Sequence, residues 1–155
     1  MSGFEPPLHP ALVHLPMAAT LFLPGVLALA RRNRSPWLRA GLILATLGVF
    51  GGLATMVSGY VLARTLGGIE PGALLAQPLR PEPAFTALLR HHQLLAGAGL
   101  GFGIACLGCL GLARTGRTRA LAAALVLSLA WLGLWGAAGH WGGRMVYRDQ
   151  PGDTP

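Results

Sequence analysis

The sequence predicts an all-α integral membrane protein, folded as an up-down four-helix bundle. Three observations carry this. Hydrophobic residues make up 53% of the 155-residue chain and charged residues only 11%, whereas soluble domains carry about 25% charge. The apolar residues fall in four runs, each near the roughly 20 residues that a helix needs to cross a bilayer core. The charges lie between those runs, so lipid sets the fold. The length suits a single membrane domain over residues 1–155.

The first helix is expected over about residues 10–30. Pro10 suits a first helical turn, where its missing N–H leaves nothing unpaired, and His9 falls at or beside the N-cap. Pro24 is expected to kink the helix within the membrane. Glu5 precedes this run and arginines follow it. That is the reverse of a signal peptide, so residues 11–30 read as a retained helix. The second helix is expected over 37–62. Its small residues Gly41, Ala45, Gly48, Gly52, Thr55 and Gly59 step by 4, 3, 4, 3 and 4. Such a seam lets another helix, or a flat cofactor, come close, and helix packing is the default.

Residues 65–88 form an outer loop with four prolines and two glutamates, and a piece around Ala73–Leu79 suits the membrane surface. The third helix is expected over 91–113, or from Ala84, with small stripes at Gly97, Gly101, Ala105 and at Gly99, Gly103, Cys106. The fourth is expected over 120–140, with Gly133, Gly136 and His140 on one face. Trp141 and Tyr147 suit an interfacial belt. Cys106 and Cys109 lack the electropositive setting of a reactive thiol and read as small packing residues.

A net charge of +7 would suggest nucleic acid in a soluble protein. In this apolar chain it reads as topology, and membrane lipid is the expected partner, not nucleic acid. The 31–39 turn holds four arginines and the 114–119 turn three, with no acid in either. The rest of the chain has five arginines and all five acids. The positive-inside rule therefore places both short turns in the cytoplasm, and both termini and the 65–88 loop outside it.

That orientation gathers all five histidines, His9, His14, His91, His92 and His140, at the outer boundary. Ionisable groups there are usually functional or paired. Haem b needs one or two axial imidazoles, a pocket of small residues and partners for its propionates. His14 and His92 are the best axial pair by face, with His140 third and His91 the alternative to His92. Arg90, Arg144 or Arg148 could pair with the propionates. His9 is expected to support a ligand from behind. Copper is the second choice, with His14, His92 and His140 as its ligands, because imidazole suits it and Met17 lies one turn from His14.

The segments HPALVHLP at 9–16 and GHWGGRMVY at 139–147 resemble the two ends of a bacterial four-helix membrane family, domain of unknown function 2231. Its pattern is HPxxVHFP at the start, a histidine opening the third helix, and GGxLVY after the fourth. Leu15 replaces the usual Phe, and Met145 the usual Leu. The RHGVGV-like continuation of the family is replaced by Arg148-Asp149-Gln150-Pro151, so its histidine is missing here. The resemblance spans His9 to Tyr147. It implies the four-helix fold and a redox or haem-linked role.

The leading expectation is a small electron-transfer subunit of a bacterial inner membrane, with both termini periplasmic. It would bind haem b at the periplasmic face, within or serving a larger redox complex or a periplasmic electron carrier. The alternatives are a non-catalytic accessory or assembly subunit, and a copper-binding membrane protein. A hydrolase is not expected: no acid sits beside the histidines within a helix, and Ser58 has no evident base.

Overall fold

The computed structural model describes residues 8–67 and 84–147, with side chains over 12–60 and 87–144. Four helices account for these residues apart from two tight turns. They are α1 (Leu8–Ala30), α2 (Arg34–Gly67), α3 (Ala84–Arg114) and α4 (Thr118–Tyr147). Each contains a stretch long and apolar enough to cross a membrane, so the described chain is an all-α membrane bundle. Outward side chains such as Phe22, Ile43, Phe50, Val57 and Val126 are 61–66% exposed, as lipid-facing residues are.

The helices run past the apolar stretches that mark them in the sequence. At 34 residues, α2 is about 50 Å long, against a hydrocarbon core of about 30 Å. Backbone hydrogen bonding carries it into the interfacial zone, where hydropathy no longer identifies it. The start of the 65–88 loop belongs to α2 and its end to α3, while the piece at Ala73–Leu79 lies outside the described residues. Helix α4 continues beyond residue 140, its expected end, to Tyr147. Gly142, just past that expected end, is a packing position. A Cβ there would lie 3.2 Å from His92 Nδ1.

Helix α1 packs along α2, and α3 along α4. Smaller seams join α2 to α3 and α1 to α4, whereas the backbones of the two diagonal pairs stay apart and α4 reaches α2 only through long side chains. Sequential helices are antiparallel. One end of the bundle therefore carries both turns and their arginines. The other carries the starts of α1 and α3 and the end of α4, with the histidines.

At the arginine end, Gly116 closes the second turn at φ 94°, a left-handed conformation that costs other L-residues roughly 1–2 kcal/mol. Arg34 Nη2 donates to Ala113 O at 2.6 Å. Ala113 O already accepts from Gly116 N at 3.1 Å, so Arg34 adds a second donor there and sets a cation on the negative end of the α3 dipole.

Helix α1 is continuous through Pro16 and Pro24. Pro16 has no N–H to give to Leu12 O, four residues back. Thr55 of α2 supplies a donor. Its Oγ1 lies 3.2 Å from Leu12 O and 2.9 Å from Gly51 O, with one proton shared between them. Gly51 lies against the proline ring, where a Cβ would come within 3.1 Å. Thr55→Val keeps the shape and removes the donor. It should cost about 1 kcal/mol in detergent unfolding titrations, and much less in a Pro16→Ala background, where Leu12 O regains its own partner. Equal costs in both backgrounds would contradict this pairing.

The core lies between Leu23, Leu27, Ala45, Leu110 and Ala124, all fully buried. Cys106 is buried with them, its Sγ 3.3 Å from Ala124 O, in the packing role its apolar setting predicts.

Candidate functional site at the histidine end

Two indoles fill the middle of the bundle. Trp131 and Trp135 stand one turn apart on α4, with centroids 5.4 Å apart at 78°. A Cβ added at Gly48 of α2 or at Gly103 of α3 would lie 2.6 Å from the Trp131 ring. Trp135 bears the same relation to Gly52, at 2.6 Å, and to Gly99. Its Nε1 donates to Ala96 O at 3.3 Å. Real Cβ atoms essentially never come within 3.0 Å of a neighbour, so these four positions must be glycine for the indoles to fit. The small-residue seams serve helix packing, around tryptophans that the sequence reading did not single out. A signal was present: Gly48 and Gly52, Gly99 and Gly103, and Trp131 and Trp135 are three pairs with i, i+4 spacing on adjoining helices.

Above these indoles the histidines separate into two kinds. His92 shares the buried stripe of Gly99, Gly103 and Cys106, and its Nδ1 lies 2.8 Å from Ala138 O on α4. A carbonyl only accepts, so Nδ1 carries a proton, and in the neutral ring the lone pair is on Nε2. With Gly142 against the ring, the imidazole is held in one tautomer and one orientation, as ligating histidines are.

His14, His91 and His140 are exposed and head stripes that face away from the bundle. His14 continues into Ala18, Leu21 and Gly25, all exposed. The face shared by Gly133, Gly136 and His140 is present, but nothing lies within 4 Å of a Cβ at either glycine. His91 and His140 gather around Trp141. His91 stacks on the indole at 5.3 Å and 23°, and His140 meets it edge-on at 5.9 Å and 76°. Arg144 Cζ lies 5.0 Å from the ring centroid, within cation–π range. His91 Nδ1 donates to Ala87 O of its own helix at 2.7 Å. Arg90 is half-buried on α3. The side chain of His9, and Arg148, lie outside the described residues.

The expected axial pair lies on diagonal helices, with His14 exposed on α1 and His92 half-buried on α3 against α4. Among the described residues, no three His, Cys, Asp or Glu side chains gather to hold a metal ion, the trio His14, His92 and His140 included. Met17 enters the α1–α4 seam, its Cε 3.9 Å from a Cβ placed at Gly139. Trp131 and Trp135 occupy the slots beside Gly48, Gly52, Gly99 and Gly103, so these four glycines leave no room for a haem there.

The family DUF2231, described as a predicted membrane protein, matches residues 5–155. No curated protein and no solved structure matches the chain. With four membrane-length helices over nearly the whole matched span, the chain belongs to the DUF2231 family of membrane proteins.

Proposed function

We infer that this protein is a non-catalytic accessory subunit that packs into a larger membrane assembly through its outer helix faces. One observation carries the reading: the glycines divide into two sets. Gly48, Gly52, Gly99 and Gly103 receive the tryptophans, whereas Gly97, Gly101, Gly108, Gly111, Gly133 and Gly136 have open space where a Cβ would stand. On α3, Gly97, Gly101, Ala105, Gly108 and Gly111 step by 4, 4, 3 and 3 along one face. Each glycine within a helix costs about 1 kcal/mol relative to alanine. In lipid, close approach of a second helix is what such a face offers in return.

In gently solubilised membranes the chain should migrate within an assembly that contains other polypeptides. Gly97→Leu/Gly101→Leu should release it as the free chain with its helix content unchanged. Retention of the variant in the assembly, or a wild-type chain migrating alone, would overturn the reading. An assembly made only of this chain would replace the accessory role with self-association.

His92 favours a second reading, an electron-transfer subunit. Its fixed Nε2 suits one ligand position for haem b, or for copper, at a contact where a partner subunit supplies the other ligands. The assembly should then show a redox-active absorption band that His92→Ala abolishes without disassembly, and a band indifferent to His92→Ala sinks the idea. Under either reading the histidine end faces the periplasm of a bacterial inner membrane, because the arginine turns then face the cytoplasm.

A further inference from the structure

We propose that the arginine end holds a binding site for one anionic phospholipid, in the cleft between the start of α2 and the end of α3. Arg34, Arg39 and Arg114 line this cleft together with the hydroxyl-bearing Ser35, and its wall continues along α2 as Leu38, Leu42 and Ile43. A cationic, hydrogen-bonding mouth on an apolar wall matches a phosphodiester headgroup with an acyl chain below it.

The charge balance favours an anion. All five acids of the chain fall outside the described residues, in segments joined to the histidine end. The cleft arginines therefore have no carboxylate of the described chain near them. The amino end of α2 adds a partial positive charge at the same mouth, and the opposite partial charge at the carboxyl end of α3 is met by Arg34 on Ala113 O. A zwitterionic headgroup would bring its ammonium against these cations, whereas a singly anionic one would not.

The geometry favours a lipid over a free anion. Arg34 is pinned across the α2–α3 seam by its bond to Ala113 O at 2.6 Å, so part of its ordering cost is met before a ligand arrives. From Arg34, Ile43 lies about 13 Å further into the membrane at 1.5 Å per residue. Ile43 is 61% exposed, and the wall it ends is long enough for much of an acyl chain. Basic pockets between membrane helices are known to hold anionic headgroups in this way.

The test uses the full chain purified in a neutral detergent and titrated with dioleoyl phosphatidylglycerol or dioleoyl phosphatidylcholine, read by lipid adducts in native mass spectrometry. Phosphatidylglycerol should bind about tenfold or more tightly than phosphatidylcholine. Arg39→Gln/Arg114→Gln should remove that preference. Arg117→Gln/Arg119→Gln removes the same charge from outside the cleft and should retain it. Ile43→Trp, which fills the wall at unchanged charge, should also weaken phosphatidylglycerol binding. Equal losses in the two arginine pairs would reduce the site to diffuse surface charge and overturn the proposal. So would full protection of the cleft by inorganic phosphate at matched concentration, or the absence of any headgroup preference.

Discussion

Leucine at Gly103 will destabilise the bundle by about 3 kcal/mol, the upper range for overpacking a dense core. A Cβ there already meets three atoms of the Trp131 ring at 2.6, 2.7 and 2.8 Å. Gly48 of α2 meets the same Cζ2–Cη2 edge of the ring, where its own Cβ would stand at 2.6 Å, so that edge is closely held by two helices. In a Trp131→Ala background the same leucine enters the space left by the indole, and its cost should fall close to zero. Unfolding titrations of the four proteins in mixed micelles give the coupling directly. An undiminished cost of Gly103→Leu without the indole would show that the glycine serves something other than Trp131.

Trp131→Ala should be the most damaging single truncation in the described chain, at about 3–5 kcal/mol. Trp131 is fully buried and among the largest of the fully buried side chains, and it contacts both α2 and α3 from α4. Trp131→Phe should be much milder. Trp131 Nε1 has no hydrogen-bond partner among the described residues, so the phenyl ring gives up area but no bond. Trp135→Phe does lose a bond, the one to Ala96 O, and leaves that carbonyl to its helical partner alone. Relative to ring area lost from contact, Trp135→Phe should therefore cost more than Trp131→Phe. The opposite order would mean that Trp131 Nε1 is paired in the membrane.

The four spans and the two arginine turns are legible in the sequence because lipid leaves the chain little choice. A spanning segment must be apolar and must satisfy its own backbone. The helix ends are not legible, since α4 continues through Gly142-Gly143 for the sake of His92, a contact from another helix. Facing is the larger gap. In a soluble bundle the polar residues would mark the outside of each helix. Here the lipid is as apolar as the core, so the Gly97–Gly101 stripe and the Gly99–Gly103 stripe look alike in the sequence, although one faces out and the other receives indoles. The same blindness affects the candidate site. The gathering of histidines at one end follows from topology alone. That His92 turns inward while His14, His91 and His140 turn outward depends on which face each helix presents. Tryptophan was the missing marker: a matched pair of indoles opposite two matched pairs of glycines identifies the inner face without reference to hydropathy.

The central claim is that tryptophans, and not a cofactor, occupy the glycine-lined interior. The most direct test is the dithionite-reduced minus oxidised visible spectrum of the purified, isolated chain. No Soret difference band is expected from that sample, whether or not the native assembly shows one. A stoichiometric haem spectrum from the isolated chain, lost in His14→Ala and in His92→Ala alike, would contradict it.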